Sequence, residues 1–256
     1  MQNQLDFSGK IVIVTGGGKG VGRGISERFL DCGATVLICG RNQPEQLPQA
    51  ASSEAVFYSV DVRDAEAIQS FVDSVAQQYG RIDVLINNAG GSPSTDAATV
   101  SPRFSESIIR LNLLAPLNFS QACNKIMQNQ ANGGAIVNIA SVSAVRPSPG
   151  TAAYGAAKAG LINLGTSLAV EWAPKVRVNA IIAGLIRTEQ AHLHYGDEAG
   201  IAAVSNTVPM GRMAVPQDIG DACVFLASEL ASYISGSTLT VHGGGEKPTF
   251  LDAANT

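Results

Sequence analysis

The sequence predicts an α/β fold in which a doubly wound, seven-stranded parallel sheet carries helices on both faces. Three observations predict it. Short β-branched runs alternate with helical patterns along nearly the whole chain. Those runs are almost continuously apolar, as strands covered on both faces must be. The first run also leads straight into a glycine-rich turn that opens a helix, Thr15-Gly16-Gly17-Gly18-Lys19-Gly20-Val21-Gly22.

In order, Ile11–Val14 reads as a buried strand and Gly20–Leu30 as a helix, with Thr35–Ile38 and Val56–Val60 as further strands. From Asp64 the apolar positions Ala65, Ile68, Phe71, Val72, Val75 and Tyr79 recur at a helical period behind an acidic start. Val84–Ile86, Ile136–Ile139, Val176–Ile182 and Thr238–Val241 supply four more strands, and helices fill Ser105–Gln128, Ala153–Trp172 and Pro216–Ser228. Leu185–Met210 is too long for a plain connection and follows a strand, the pattern of a substrate lid. Its Leu193, Tyr195, Ile201, Val204, Val208 and Met210 are expected to line an apolar pocket. No repeat, linker or composition break divides the chain, so residues 1–256 are expected to form one dinucleotide-binding and catalytic domain, with Glu246–Thr256 as a tail.

Composition excludes several function classes. With 45% hydrophobic and 15% charged residues in 256, the chain has material for a large core and is not of disordered type. The net charge of −4 comes without a basic cluster or basic amphipathic stretch, which argues against nucleic acid and membrane surfaces as partners. The first residues lack the basic and apolar regions of a signal peptide, and no apolar run approaches bilayer length. The four cysteines are scattered, with no Cys-x-x-Cys, and read as reduced core thiols. A cytoplasmic protein is expected. His192 and His194 have no third ligand nearby, so no metal site is expected.

The glycine turn is suited to phosphate. Glycines let the backbone approach a pyrophosphate closely, and the helix N-terminus behind them offers N–H donors and positive partial charge. The spacing Gly16-x3-Gly20-x-Gly22 differs from Gly-x-Gly-x-x-Gly, and no Gly-Lys-Ser/Thr follows to make a P-loop. Strand, turn and helix together nevertheless place a dinucleotide site at the start of a Rossmann fold, with Gly16, Gly18, Lys19, Gly20 and Val21 as its contacts. The second strand ends Ile38-Cys39-Gly40-Arg41-Asn42, without the carboxylate that would bind ribose hydroxyls. Arg41 and Lys19 instead offer two cations to a 2′-phosphate, so NADP(H) is the expected cofactor.

Tyr154 and Lys158 are four residues apart in Tyr154-Gly155-Ala156-Ala157-Lys158. In a helix this spacing stacks phenol and ammonium on one face. A cation beside a phenol lowers its pKa from about 10, which suits it to proton transfer near neutral pH.

Taken in order, Thr15-Gly16-x3-Gly20-x-Gly22, Asp61-Val62, Asn87-Asn88-Ala89-Gly90, Asn112, Ser141, Tyr154-x3-Lys158 and Arg177-Val178-Asn179 resemble a classical short-chain dehydrogenase/reductase from about Gly9 to Gly244. The resemblance implies that Tyr154 exchanges a proton with the substrate oxygen and Ser141 stabilises charge on it. It implies that Lys158 binds the nicotinamide ribose and depresses the Tyr154 pKa, while Asn112 holds a water linking Lys158 to solvent. Asp61 and Val62 would meet adenine, Asn88, Ala89 and Gly90 the ribose, and Ile186 and Thr188 the carboxamide. Two departures stand out: Ala183-Gly184 replaces the family's Pro-Gly, which implies a more mobile lid, and His242 replaces an acid.

Val208–Arg212 followed by Pro216-Gln217-Asp218 is similar to the 3-oxoacyl-carrier-protein reductase branch. Members that meet a carrier protein are expected to show basic residues at the site mouth, where this chain has Gln128-Asn129-Gln130 and Val170-Glu171. The expected activity is therefore NADP(H)-dependent reduction of a small apolar ketone or oxidation of a secondary alcohol. The alternatives are a 3-oxoacyl thioester reductase and a catalytically idle NADP-binding scaffold. The apolar surfaces of the two long central helices and the last strand, by the same resemblance, imply a homotetramer.

Overall fold

The computed structural model describes residues 4–50 and 52–250. Seven strands form its main sheet: β1 (Ile11–Thr15), β2 (Thr35–Gly40), β3 (Val56–Ser59), β4 (Val84–Asn87), β5 (Gly134–Ser141), β6 (Val176–Ala183) and β7 (Thr238–Val241). They lie in the order β3-β2-β1-β4-β5-β6-β7, every neighbouring pair parallel. The chain winds outward from β1 to β3, then crosses back to lay β4 against the other side of β1. Such a reversal opens a crevice at the carboxyl ends of the strands.

Alternation along the strands divides the core. Ile11, Ile13, Leu37 and Cys39 face one apolar layer with Phe71, Val72, Phe119 and Leu168; Val12, Val14, Val36 and Ile38 face the other with Ile25, Phe29, Ile219 and Val224. The first layer lies under α2 (Ala65–Tyr79), α4 (Ala115–Met127) and α5 (Ala152–Glu171), the second under α1 (Gly20–Asp31) and α8 (Pro216–Ala227). Helix α1 approaches α8 at Gly24, where a Cβ would come within 2.4 Å of the Pro216 Cβ.

Three differences from the sequence expectations have physical causes. The helix expected over Ser105–Gln128 begins earlier, as α3 (Pro102–Ile109) capped by the Ser101 hydroxyl accepting from Phe104 N. It then passes through a π turn at Arg110–Leu114 before α4. Within that turn the Asn112 amide donates to the carbonyl of Ile108, four residues back, so a side chain competes for an acceptor of the backbone ladder. Asp64 caps α2, its Oδ1 accepting from Glu66 N and Ala67 N, in keeping with the acidic start expected there.

The lid holds two short helices, α6 (His192–Tyr195) and α7 (Glu198–Ser205), around a small core of its own. Ala191, Ile201 and Met213 form this core, with Leu185, Tyr195 and Val204 packed against it. Ile201, Tyr195 and Val204 therefore stabilise the lid, Leu193 and Met210 are exposed, and Val208 faces a cavity. Finally, Gln49–Ala50 and Ser53–Glu54 pair as a two-residue antiparallel ladder, too short for any period to announce.

Among the described residues, Cys39, Cys123 and Cys223 are buried, Cys32 is half-buried and none forms a disulfide. No helix there is long and apolar enough to cross a membrane.

Candidate active site

A cleft of about 680 Å³ runs along the carboxyl ends of the strands. At one end the β1–α1 turn supplies Gly16, Lys19, Gly20, Val21 and Gly22 to its wall. Asn88 holds the turn in shape: its Nδ2 donates to the carbonyls of Thr15 and Gly16 at 2.9 and 3.3 Å. The Thr15 hydroxyl in turn accepts from Asn88 N and Ala89 N, each at 3.0 Å. A Cβ on Gly22 would stand 2.2 Å from the Gly16 carbonyl oxygen, so only glycine lets α1 start this close to β1. Gly18 is the exception among the expected contacts: it does not line the cleft, and its open face meets the Pro44 ring.

The outer wall carries Cys39, Gly40, Arg41, Val60, Asp61, Val62 and Arg63. Arg63 was not anticipated from the sequence. It grips Asp61 through two hydrogen bonds, Nε to Oδ1 at 2.9 Å and Nη2 to Oδ2 at 2.6 Å. The Arg63 hydrogen bonds, aided by the charge of Arg41, pull the Asp61 carboxyl down to about 2. Three cations, Lys19, Arg41 and Arg63, thus surround one carboxylate at this end, and the excess is positive. A single basic residue two positions past an aspartate carried no sequence signal.

At the other end the cleft meets Ile139, Ala140, Ser141, Tyr154, Lys158, Ala183, Gly184, Ile186 and Thr188. Ser141 ends β5, and its hydroxyl accepts from Ser143 N at 3.2 Å, leaving its proton to donate. Tyr154 and Lys158 sit on α5, with the Lys158 Nζ 5.7 Å from the centre of the Tyr154 ring. Lys158 is 2% exposed, and Nζ donates to the Ile139 carbonyl at 2.7 Å. Burial pulls its pKa to about 8.

The phenol departs from expectation. Burial raises the Tyr154 pKa, and a Ser141 hydrogen bond opposes the rise, so proximity to Lys158 does not depress it in this state.

Asn112 lies behind the cleft, fully buried, and does not line it. Its Oδ1 accepts from Gly91 N at 2.9 Å, and its Nδ2 donates to Gly91 O and Ile108 O, each at 3.0 Å. Both amide protons and one lone pair of Oδ1 are therefore taken up by protein. A Cβ on Gly90 would lie 2.5 Å from Asn112 Oδ1 and 3.1 Å from Lys158 Nζ, so glycine is needed where the two converge.

A family model described as enoyl-(acyl carrier protein) reductase matches residues 16–246. The chain belongs to the short-chain dehydrogenase/reductase family. It falls in the 3-oxoacyl-carrier-protein reductase-like branch of classical members. It is 37% identical to a 3-oxoacyl-[acyl-carrier-protein] reductase of Chlamydia muridarum, over 92% of this chain and 96% of that protein. It is 35% identical to a 3alpha-hydroxysteroid dehydrogenase of Mediterraneibacter gnavus, over 91% of this chain and 96% of that one. Among solved structures, the ligand-free aldohexose dehydrogenase of Thermoplasma acidophilum superposes with a TM-score of 0.87 at 32% identity, covering 93% and 94% of the two chains. Members of this family are oxidoreductases that use nicotinamide cofactors, and the cleft has the glycine turn, cation cluster and close-set polar side chains to hold one.

Proposed function

We propose that the protein is an NADP(H)-dependent oxidoreductase that reduces a ketone, or oxidises a secondary alcohol, at Ser141 and Tyr154. One observation carries this reading: a single cleft joins Lys19, Arg41 and Arg63 at one end to Ser141, Tyr154 and Lys158 at the other. The cation cluster, with no carboxylate at the end of β2, supports a cofactor bearing a 2′-phosphate. A bound nicotinamide supplies or accepts the hydride.

The chain's own residues do the rest. Ser141 donates its hydroxyl proton in a hydrogen bond to the substrate oxygen and stabilises the charge that develops there. Tyr154, protonated at neutral pH, gives its phenolic proton to that oxygen during reduction and takes it back during oxidation. Lys158 would hold the ribose hydroxyls of the bound cofactor and, four residues from Tyr154 on α5, place its charge beside the phenol. Asn112 holds Gly91 and the π turn that back this pair. Asp61 and Val62 would meet the adenine at the cation end, Asn88, Ala89 and Gly90 the ribose, and Ile186 and Thr188 the carboxamide at the other end.

The relatives' activities span hydroxysteroids, sugars and 3-oxoacyl carrier-protein thioesters, which supports the reaction class but not one substrate. The 3-oxoacyl thioester reading remains the second choice on the strength of the branch. A compartment with reducing conditions, the cytoplasm, suits the unpaired thiols.

Initial rates of NADPH and NADH oxidation over a panel of ketones, 3-oxoacyl thioesters included, test the proposal. NADPH should be the better donor, and Tyr154→Phe should lower turnover by at least about a hundredfold. Faster rates with NADH would remove the cofactor assignment. Wild-type rates in Tyr154→Phe would remove the proton donor. NADPH binding with no carbonyl turned over would favour a scaffold.

A further inference from the structure

Beside the cofactor cleft lies a second cavity of about 320 Å³, walled by Val142, Val145, Leu185 and Val208. Gly184 lines both spaces, so the cavity opens next to the end of the cleft that holds Ser141. Its size is at the lower end for small-molecule pockets, and its walls suit an apolar body.

Two charged side chains edge this cavity, and they come from distant parts of the chain. Arg146 lies on the loop after β5, and Glu246 follows β7 on the C-terminal tail. Arg146 Nη2 donates to Glu246 Oε1 at 2.6 Å, while Nη1 donates to the Pro147 carbonyl at 3.3 Å. The pair is more than a third exposed, 39% and 37%, so it adds little to stability and can be exchanged. Gly243, Gly244 and Gly245 before Glu246 all adopt positive φ, 65°, 97° and 88°, a region glycine enters at low steric cost. On the lid, burial raises the pKa of the half-buried Tyr195 phenol, Glu246 adding to the rise and Arg146 opposing it. His242 also lines the cavity, its ring against Gly245.

A guanidinium at the mouth of an apolar cavity is the usual receiver of a carboxylate, which it can hold through two parallel N–H donors. We propose that this cavity takes a carbonyl or alcohol substrate with an apolar body and a terminal carboxylate, that Arg146 binds that carboxylate, and that Glu246 occupies its place until the substrate displaces it. The inference rests on the reading of the adjoining cleft as an NADP(H)-dependent site, and it adds the substrate class.

The test uses oxodecanoate and its methyl ester, which share the apolar body and differ in the charge. Two quantities are measured for each: kcat/KM with NADPH, and Kd by calorimetry in the presence of NADPH. The acid should exceed the ester in both by about tenfold or more. Arg146→Gln should bring the ratio near parity, Arg146→Lys should restore part of it, and Glu246→Gln should tighten the acid several-fold. Equal handling of acid and ester by the wild-type protein, failure of the acid to bind, or a ratio unmoved by Arg146→Gln overturns the proposal. Reduction of both compounds at equal rates removes the carboxylate site and leaves the redox reading standing. Arg146-dependent binding of the acid without reduction supports the site and removes the redox reading.

Discussion

Lys158 shows how a single buried group links stability to chemistry. Burial lowers its pKa from an ordinary value near 10.5 to about 8, so between those two values the folded chain holds fewer protons than the unfolded one. Stability contributed by this group therefore rises with pH across that window, and the full penalty is present below about 8. Lys158→Met removes the titration. Relative to wild type, the variant should lose on the order of 2–3 kcal/mol of its stability advantage between pH 7 and pH 10. Urea unfolding of both proteins at the two pH values measures this, and a difference independent of pH would show that the ammonium is not desolvated. Tyr154 carries the complementary prediction. With its phenol raised by burial, it is protonated at neutral pH, the form needed to reduce a ketone. Alcohol oxidation needs the phenolate, so its kcat/KM should climb through the alkaline range while reduction stays level or falls. Parallel pH profiles for the two directions would count against Tyr154 as the proton carrier.

At the scale of elements, the N-terminus of α1 already holds an anion from the chain itself. Gly20 N donates to Glu189 Oε1 at 2.9 Å, which ties the lid to the turn that is to receive a phosphate. A cofactor pyrophosphate would compete with that carboxylate. Glu189→Ala should tighten NADPH several-fold by titration of its fluorescence, and unchanged or weaker binding would mean that the carboxylate does not compete. Packing of α1 sets a second expectation. Gly24→Ala drives a methyl into Pro216 and should cost about 1–3 kcal/mol in urea unfolding, an overpacking effect. These elements also mark what the sequence could reveal. The strands and α2 were legible because periodicity is local: Ile68, Phe71, Val72 and Val75 name their own buried face. The π turn was not, because apolar positions on both sides, Ile108 and Ala115, continue the helical pattern, while the Asn112 amide in the turn bonds both to Ile108 and to Gly91, twenty-one residues away. The Ser141, Tyr154 and Lys158 group was readable through motif spacing. Glu189 and the Arg146–Glu246 pair were not, since each depends on a tertiary neighbour that no spacing encodes, and Arg63 pairs locally with Asp61 with no motif to mark it.

For the whole molecule, we propose that the exposed apolar side chains are buried further in an assembly. Helix α5 covers the sheet with Leu161 and Leu168, yet Val170 on the same helix is 81% exposed, and Leu114 in the neighbouring π turn is 39% exposed. A second group, Phe225, Leu230 and Tyr233, lies on α8 and the segment leading to β7, with Tyr233 fully exposed. Strand β7 is also an edge of the main sheet, paired on one side only, and such an edge is normally covered or matched. Two separate apolar patches are what two isologous interfaces require, and two perpendicular two-fold axes generate a tetramer. We therefore expect a homotetramer of the 26.4 kDa chain, the α5 patch making one contact and the β7 side the other. Val170→Glu places a charge in the first patch alone and should leave dimers held by the second, while Tyr233→Glu should leave dimers of the opposite kind. Sedimentation equilibrium distinguishes the outcomes, with circular dichroism checking that each chain remains folded. A wild-type protein that sediments as a monomer at micromolar concentration would rule out both contacts. Tetramers in both variants would place the interfaces elsewhere on the surface.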